Sequence, residues 1–166
     1  SARDYISAPV NCQLIYKTFL YFQYQTGIIP SGDTEMKKTG EYMVVFCVGA
    51  GAYAALELAF RGFTHWSMLP VGGLCFSGLY HITEVSEESR HIQWIMGAAF
   101  ITAVEFISGS ILNIALGWGV WDYSGRAGNL YGQICPLFSA IWLMLCIPGC
   151  AICQILRRGL DRVYKK

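Results

Sequence analysis

The chain has 166 residues, 54% of them hydrophobic and only 14% charged, with a formal net charge of +1. A soluble domain carries about 25% charged residues, so the composition argues against a water-soluble enzyme and for one integral membrane domain. Basic residues gather at Arg157, Arg158, Arg162, Lys165 and Lys166 rather than on an aromatic-laced face, so no nucleic acid partner is expected.

Residues 1–39 read as a separate N-terminal segment. Within it, residues 14–24 are apolar and aromatic but carry Lys17 and Gln23, and they are too few to span. An amphipathic surface helix or a poorly ordered leader is expected there. No charged stretch followed by an apolar one marks a cleavable signal peptide. A bilayer core about 30 Å thick requires roughly 20 mainly apolar residues per helix. Four segments meet or approach that length: 42–60, 66–82, 92–116 and 132–156. The first contains a single charge, Glu57, and the third only Glu105. The second is broken by Pro70, Gly72, Gly73 and Gly78, and the fourth by Pro136 and Pro148-Gly149. Membrane helices tolerate such breaks where neighbours satisfy the freed backbone groups. The expected fold class is therefore all-α, a polytopic four-transmembrane-helix bundle over residues 40–157, followed by a basic tail over 158–166.

Lys37, Lys38, Arg90 and the basic tail would share one face, and Arg61 and Arg126 the other. The positive-inside rule then puts both termini in the cytoplasm of a multi-pass protein of the cell inner or plasma membrane. The opposite face carries Trp66, Trp118, Trp121, Tyr123 and Tyr131, as an interfacial aromatic belt would. The first and third segments also share a pattern. Gly49-Ala50 precedes Glu57 as Gly97-Ala98 precedes Glu105, and Gly72-Gly73-Leu74-Cys75 parallels Gly132-Gln133-Ile134-Cys135. A duplicated two-helix unit would give such a parallel repeat and would make the two glutamates equivalent.

An acidic side chain at mid-helix costs about 2.5–3.5 kcal/mol on insertion scales, which singles out Glu105. At about 100° per residue, Thr102, Ser108, Gly109 and Asn113 fall on its side of the helix. Such a stripe must face the bundle or a wet cavity, as a ligand, a proton carrier or a packing contact. Glu57 stands one turn before Arg61, a spacing that favours a structural ion pair. The alternative is that Arg61 meets an anionic ligand or Glu105. Two stretches, 61–67 with His65 and 117–124 followed by Asn129, are dense in polar and aromatic groups. Asp122, between Trp121 and Tyr123, is expected to pin a turn by accepting backbone N–H bonds. Cys146, Cys150 and Cys153 have the C-x3-C-x2-C spacing of cluster ligands, but inside an apolar helix they read as small buried hydrophobes. His81 and His91 flank Glu84, Glu87 and Glu88, a group better explained as a solvated connection than as a metal site. No cofactor or metal is expected, and no G-x4-G-K-[ST] phosphate loop is present, so the chain itself is not expected to hydrolyse ATP.

Several of these residues carry a family resemblance. The Glu57 helix followed by Arg61-Gly62-Phe63-Thr64-His65-Trp66-Ser67-Met68 and Gly72-Gly73-Leu74-Cys75-Phe76 resembles bacterial putative ABC-transporter permeases of the CmpB type. The second half is similar in Glu105-Phe106-Ile107-Ser108-Gly109, Asn113, Trp118, Val120-Trp121-Asp122-Tyr123-Ser124, Asn129, Gly132-Gln133-Ile134-Cys135, Phe138-Ser139 and Trp142. Pro136 departs from the apolar residue usual after the cysteine. The resemblance covers residues 40–156 and implies a transport-related subunit working with a separate ATPase, whose exposed docking element would be 83–91. The expected site residues are Glu57, Arg61, His65, Glu105, Asn113, Trp121, Asp122, Tyr123 and Asn129. The expected partners are the lipid bilayer, an ATPase subunit and further copies of the chain. Two other readings stand beside this one: an intramembrane enzyme acting on a lipid or prenyl substrate, and a non-catalytic sensor or scaffold.

Overall fold

A computed structural model describes residues 33–164, which contain four α-helices and no named strand. The expectation of an amphipathic helix over 14–24 lies outside the described residues. Helix α1 spans Asp33–Arg61, α2 Met68–Val85, α3 Arg90–Gly109 and α4 Pro136–Tyr164; α3 continues into a π-helical turn, Ser110–Ala115. Helices α1 and α4 run without a break through 39/40 and 157/158, the expected domain boundaries. Three segments are long and apolar enough to cross a membrane: Lys37–Arg61, Arg90–Ala115 and Pro136–Arg162. Helix α2 is not among them. At about 1.5 Å per residue its 18 residues reach only ~27 Å.

The helices alternate in direction. Tyr42 near the start of α1 meets His81 and Glu84 near the end of α2, and Arg157 in the last turns of α4 reaches the Glu84 carbonyl. These contacts define a lower end. The Tyr80 hydroxyl donates to Glu41 there, and Gln93 donates to the carbonyls of Ser86 and Glu88 in the short α2–α3 connection. At the upper end α1 finishes, α2 begins and the long connection 116–135 covers the bundle.

Helix α2 is the central post. It packs broadly on α1 and also touches α3 and α4, whereas α1 and α4 meet only lightly. The glycines that interrupt α2 in the sequence are its contact surface. A Cβ on Gly72 would strike Tyr53, and one on Gly73 would sit 2.6 Å from the Phe46 ring. Leu79 fills the notch opposite, against Gly97 of α3 and Gly149 of α4. Around it Val45, Cys75, Tyr80, Ile101, Cys146 and Cys153 are buried together, so the cysteines act as compact core packing.

One expected boundary is corrected. The fourth helix begins at Pro136 rather than at residue 132, because Tyr131 and Gly132 have positive φ values of 52° and 68° and turn the chain. Proline is well suited to a first helical position, where its missing N–H has no helical acceptor to lose. Consequently Gly72–Cys75 are helical while Gly132–Cys135 form a turn, and this part of the matched pattern shares no conformation.

The α1–α2 contact yields a paired prediction. A methyl group on Gly49 would collide with the Phe76 Cβ and lie 2.9 Å from the Gly72 carbonyl oxygen. Overpacking typically costs about 1–3 kcal/mol, against about 1 kcal/mol of helix propensity gained. Gly49→Ala should therefore lower the unfolding temperature in detergent. Gly51→Ala, which meets open space, should leave it unchanged or raise it.

Candidate functional site

The upper end is built around two buried carboxylates. Glu57 accepts from Arg61 Nη1 at 2.8 Å and from Thr64 Oγ1 at 2.6 Å, so both its oxygens are engaged. The expected i,i+4 ion pair is present. Arg61 Nη2 donates to the Val120 carbonyl at 2.6 Å, which staples the end of α1 to the long connection. The same guanidinium lies over the Phe63 ring, 4.7 Å from its centroid.

Glu105 is likewise saturated. Its Oε1 accepts from the Tyr123 hydroxyl at 3.0 Å and its Oε2 from Trp142 Nε1 at 2.8 Å. It thus ties α3 to the connection and to α4. The polar stripe expected beside it divides: Asn113 meets the long connection, Gly109 lies close under Gln133 and Trp121 of the same connection, and the other two turn elsewhere. Thr102 bonds Ser139 on α4, and Ser108 bonds back to the Val104 carbonyl of its own helix. The π-turn widens α3 where Asn113 sits. Its Oδ1 accepts from the Val120 N–H at 2.7 Å, and its amide donates to Gln133 Oε1 at 2.8 Å. Gln133, itself buried, also donates to the Tyr131 carbonyl, while its own carbonyl accepts from Trp121 Nε1.

The connection is a hydrogen-bonded roof. Asp122 Oδ1 accepts from the Ser124 N–H and hydroxyl, the turn geometry expected of it. Those two bonds hold the exposed Asp122 carboxyl below its usual range. Asn129 donates to the carbonyls of Ser124 and Arg126 and accepts from the Gly132 N–H. Gly132 is required by space as well as by φ, since a Cβ would approach Ser124 Oγ to 2.6 Å and Asp122 Oδ1 to 2.8 Å. Tyr123 stacks on Phe138 of α4 at 4.4 Å. Burial, then the charge of Glu105, raises its phenol above the ordinary value.

A cavity of about 390 Å³ opens below this roof, in the seam where α1 and α4 meet lightly. One wall is α1, from Tyr53 to Arg61, and the other is α4, from Phe138 to Leu145. Trp121, Asp122, Tyr123 and Arg126 form the top. Tyr53 and Trp142 stack across the seam at 5.9 Å. Of the expected site residues, Glu57, Arg61, Trp121, Asp122 and Tyr123 line this space. Glu105 and Asn113 support it from behind, and Asn129 braces the roof. His65 stands apart, between Trp66 and Trp118. Its Nδ1 accepts from the Ser67 N–H, which puts the ring proton on Nε2, and burial lowers its pKa against an opposing effect of Glu57. Tyr53, Arg126, Phe138 and Trp142 were not anticipated. Tyr53 lies one turn before Glu57 on the same face, a spacing that could have revealed it. A larger groove of about 640 Å³ runs between α3 and α4, but no ionisable side chain lines it.

At the lower end His81 and Glu84 share the Tyr42 hydroxyl, while His91 lies apart from them, edge-on against Trp94. Among the described residues no three His, Cys, Asp or Glu are grouped to hold a metal.

The family model described as putative ABC-transporter type IV covers residues 39–165, and the chain belongs to that family. With its three membrane-compatible helices, the chain is a membrane protein. No curated protein and no solved structure matches it.

Two predictions follow from the saturated acids and the roof. Glu105→Leu leaves the Tyr123 hydroxyl and the Trp142 N–H without an acceptor, at about 1–3 kcal/mol each. Glu105→Gln keeps one acceptor and should lose about 0.6–2 kcal/mol, the range for an interhelical hydrogen bond in membranes. Equilibrium unfolding in mixed micelles ranks the two. For Asp122 the folded pKa is depressed, so its contribution to roof order is present above the unfolded value and is lost as pH falls through the folded one. Ser124→Ala should move the Asp122 titration up towards the usual carboxylate range, read by carboxyl-carbon NMR.

Proposed function

We propose that this member of the ABC-transporter type IV family is a transport-related membrane subunit whose substrate site is the cavity between α1 and α4. The observation that carries the reading is the cavity itself. It combines an apolar, aromatic interior with charged groups confined to its top, and it is held open by side chains already saturated among themselves. Ligand pockets are commonly about 300–1,000 Å³, mostly apolar, with few polar groups. In this reading Arg61, Arg126, Asp122 and Trp121 face the ligand. Glu57, Glu105, Asn113 and Asn129 are positioning residues, because their polar atoms are spent on the protein.

All four helices cross the bilayer in this proposal. Helix α2 falls short in apolar length, yet it returns the chain between two membrane-compatible neighbours and is shielded by the other three helices. Both termini are cytoplasmic, in keeping with the Lys/Arg asymmetry, and the upper end faces outward from the cell inner or plasma membrane. The ATPase partner docks on the connection 86–89 and the adjoining helix ends. The apolar α3–α4 groove, lined by Ala98, Ala99, Ala103 and Ala140, supports self-association through small residues.

Purification from the native membrane in gentle detergent tests the assignment. A stoichiometric ATPase should be recovered with the chain, and its consistent absence counts against the transport reading. Orientation is checked separately with a membrane-impermeant maleimide, on a background lacking Cys12 and the exposed Cys47. Gly125→Cys should label in intact cells, and Glu87→Cys only after permeabilisation. The reverse pattern would overturn the orientation.

A further inference from the structure

We infer that the cavity takes an amphiphile with an anionic headgroup, a phospholipid-like molecule that enters sideways between α1 and α4. The inference rests on the proposal that this cavity is the substrate site, and it specifies the class of substrate.

Polarity in the cavity is graded rather than scattered. Its charged lining residues, Glu57, Arg61, Asp122 and Arg126, belong to the upper end of α1 and the roof. The α4 wall from Phe138 to Leu145 has no charge along eight residues, a depth of about 10 Å. A small water-soluble solute would leave that lower part unused. A molecule with a head and an apolar chain uses both parts.

The lining carries two acids and two arginines, and its uncommitted hydrogen-bond donors are on the arginines. Both Glu57 oxygens are engaged by Arg61 and Thr64. Asp122 is exposed to water, and its Oδ1 is taken by Ser124. Among the described residues the one ion pair joins Arg61 to Glu57, which leaves the Arg126 guanidinium without a carboxylate partner. Arg61 uses two of its five N–H donors, on Glu57 and Val120. Two guanidinium groups with donors to spare, at the top of an apolar slot, suit a phosphate or carboxylate headgroup.

The route is lateral. Phe60, 82% exposed, and Leu56, 38% exposed, line the cavity from α1, while the roof closes the end. In a bilayer such residues face acyl chains, so a lipid reaches the slot without passing through water. At about 390 Å³ the space holds a headgroup and the upper part of a chain, and the remainder stays in the bilayer.

The test uses the full chain in phosphatidylcholine nanodiscs doped with phosphatidylglycerol, followed by native mass spectrometry of retained lipid. Phosphatidylglycerol should be retained in preference to phosphatidylcholine. Arg126→Gln should weaken that retention roughly fivefold, the scale of one basic residue near an anionic headgroup. Leu145→Trp, which fills the apolar part, should abolish retention while the melting temperature is kept; Ile141→Phe serves if that variant does not fold. Equal retention of the two lipids overturns the inference. So does full competition by soluble glycerol phosphate, or retention that survives the filling variant, since the ligand is then a free anion or an annular lipid. None of these outcomes bears on recovery of an ATPase, so this inference and the transport reading fail separately.

Discussion

A carboxylate buried in an apolar helix must have its acceptors filled, and the way Glu105 fills them organises the upper half of the molecule. One oxygen takes the Tyr123 hydroxyl and the other the Trp142 indole, so a single side chain fixes the connection above it and the helix beside it. Trp142, once oriented, presents its ring to Tyr53 across the seam. Tyr123, once drawn down, lies flat on Phe138. The α4 wall and the roof of the cavity are both positioned by that pairing. Leaving a polar group unpaired is most costly in hydrocarbon, which gives these contacts more authority over geometry than the same bonds would have in water.

A second tie acts at right angles to the first. Arg61 holds Glu57 on its own helix and the Val120 carbonyl on the roof, while Asn113 holds the neighbouring Val120 N–H from α3. Both polar groups of one peptide residue are therefore fixed by side chains from two different helices. Trp121, the next residue, is buried and anchored on Gln133. The roof has little regular secondary structure of its own, with an isolated bridge between Leu130 and Ile134. Its order comes from side chains reaching up out of the bundle and from turns closed by Asp122 and Asn129.

How much of this was legible in the sequence depends on the kind of signal. Charge-free runs located α1, α3 and α4, because hydrocarbon thickness imposes their length. The Glu57–Arg61 pair could be read from its spacing alone. The start of α4 could not be, because hydropathy continues through Gly132–Cys135 while the backbone turns; the better clue was Pro136, a residue suited to beginning a helix. Glu105 was found for its cost in the membrane. Its partners were hidden, since nothing local links residue 105 to residues 123 and 142. Arg126 and Tyr53 escaped for a related reason: each matters through where the fold puts it, and neither is unusual in its own stretch of chain. The glycines of α2 looked like interruptions of a helix, whereas they are the surface on which the others pack.

Those glycines also explain why the cavity lies where it does. Removing side chains from α2 at residues 72, 73 and 78 lets α1 and α3 approach it closely, and Leu79 draws Gly97 and Gly149 in from α3 and α4. Every helix is thereby pulled towards α2, whereas α1 and α4 meet only lightly. Their seam is instead occupied by large rings, Tyr53 and Trp142, which hold the helices apart as they stack. Close packing on one side of a four-helix bundle thus leaves a gap on the other. The saturated acids at the top fix the roof over that gap, and their polar atoms are satisfied within the protein itself.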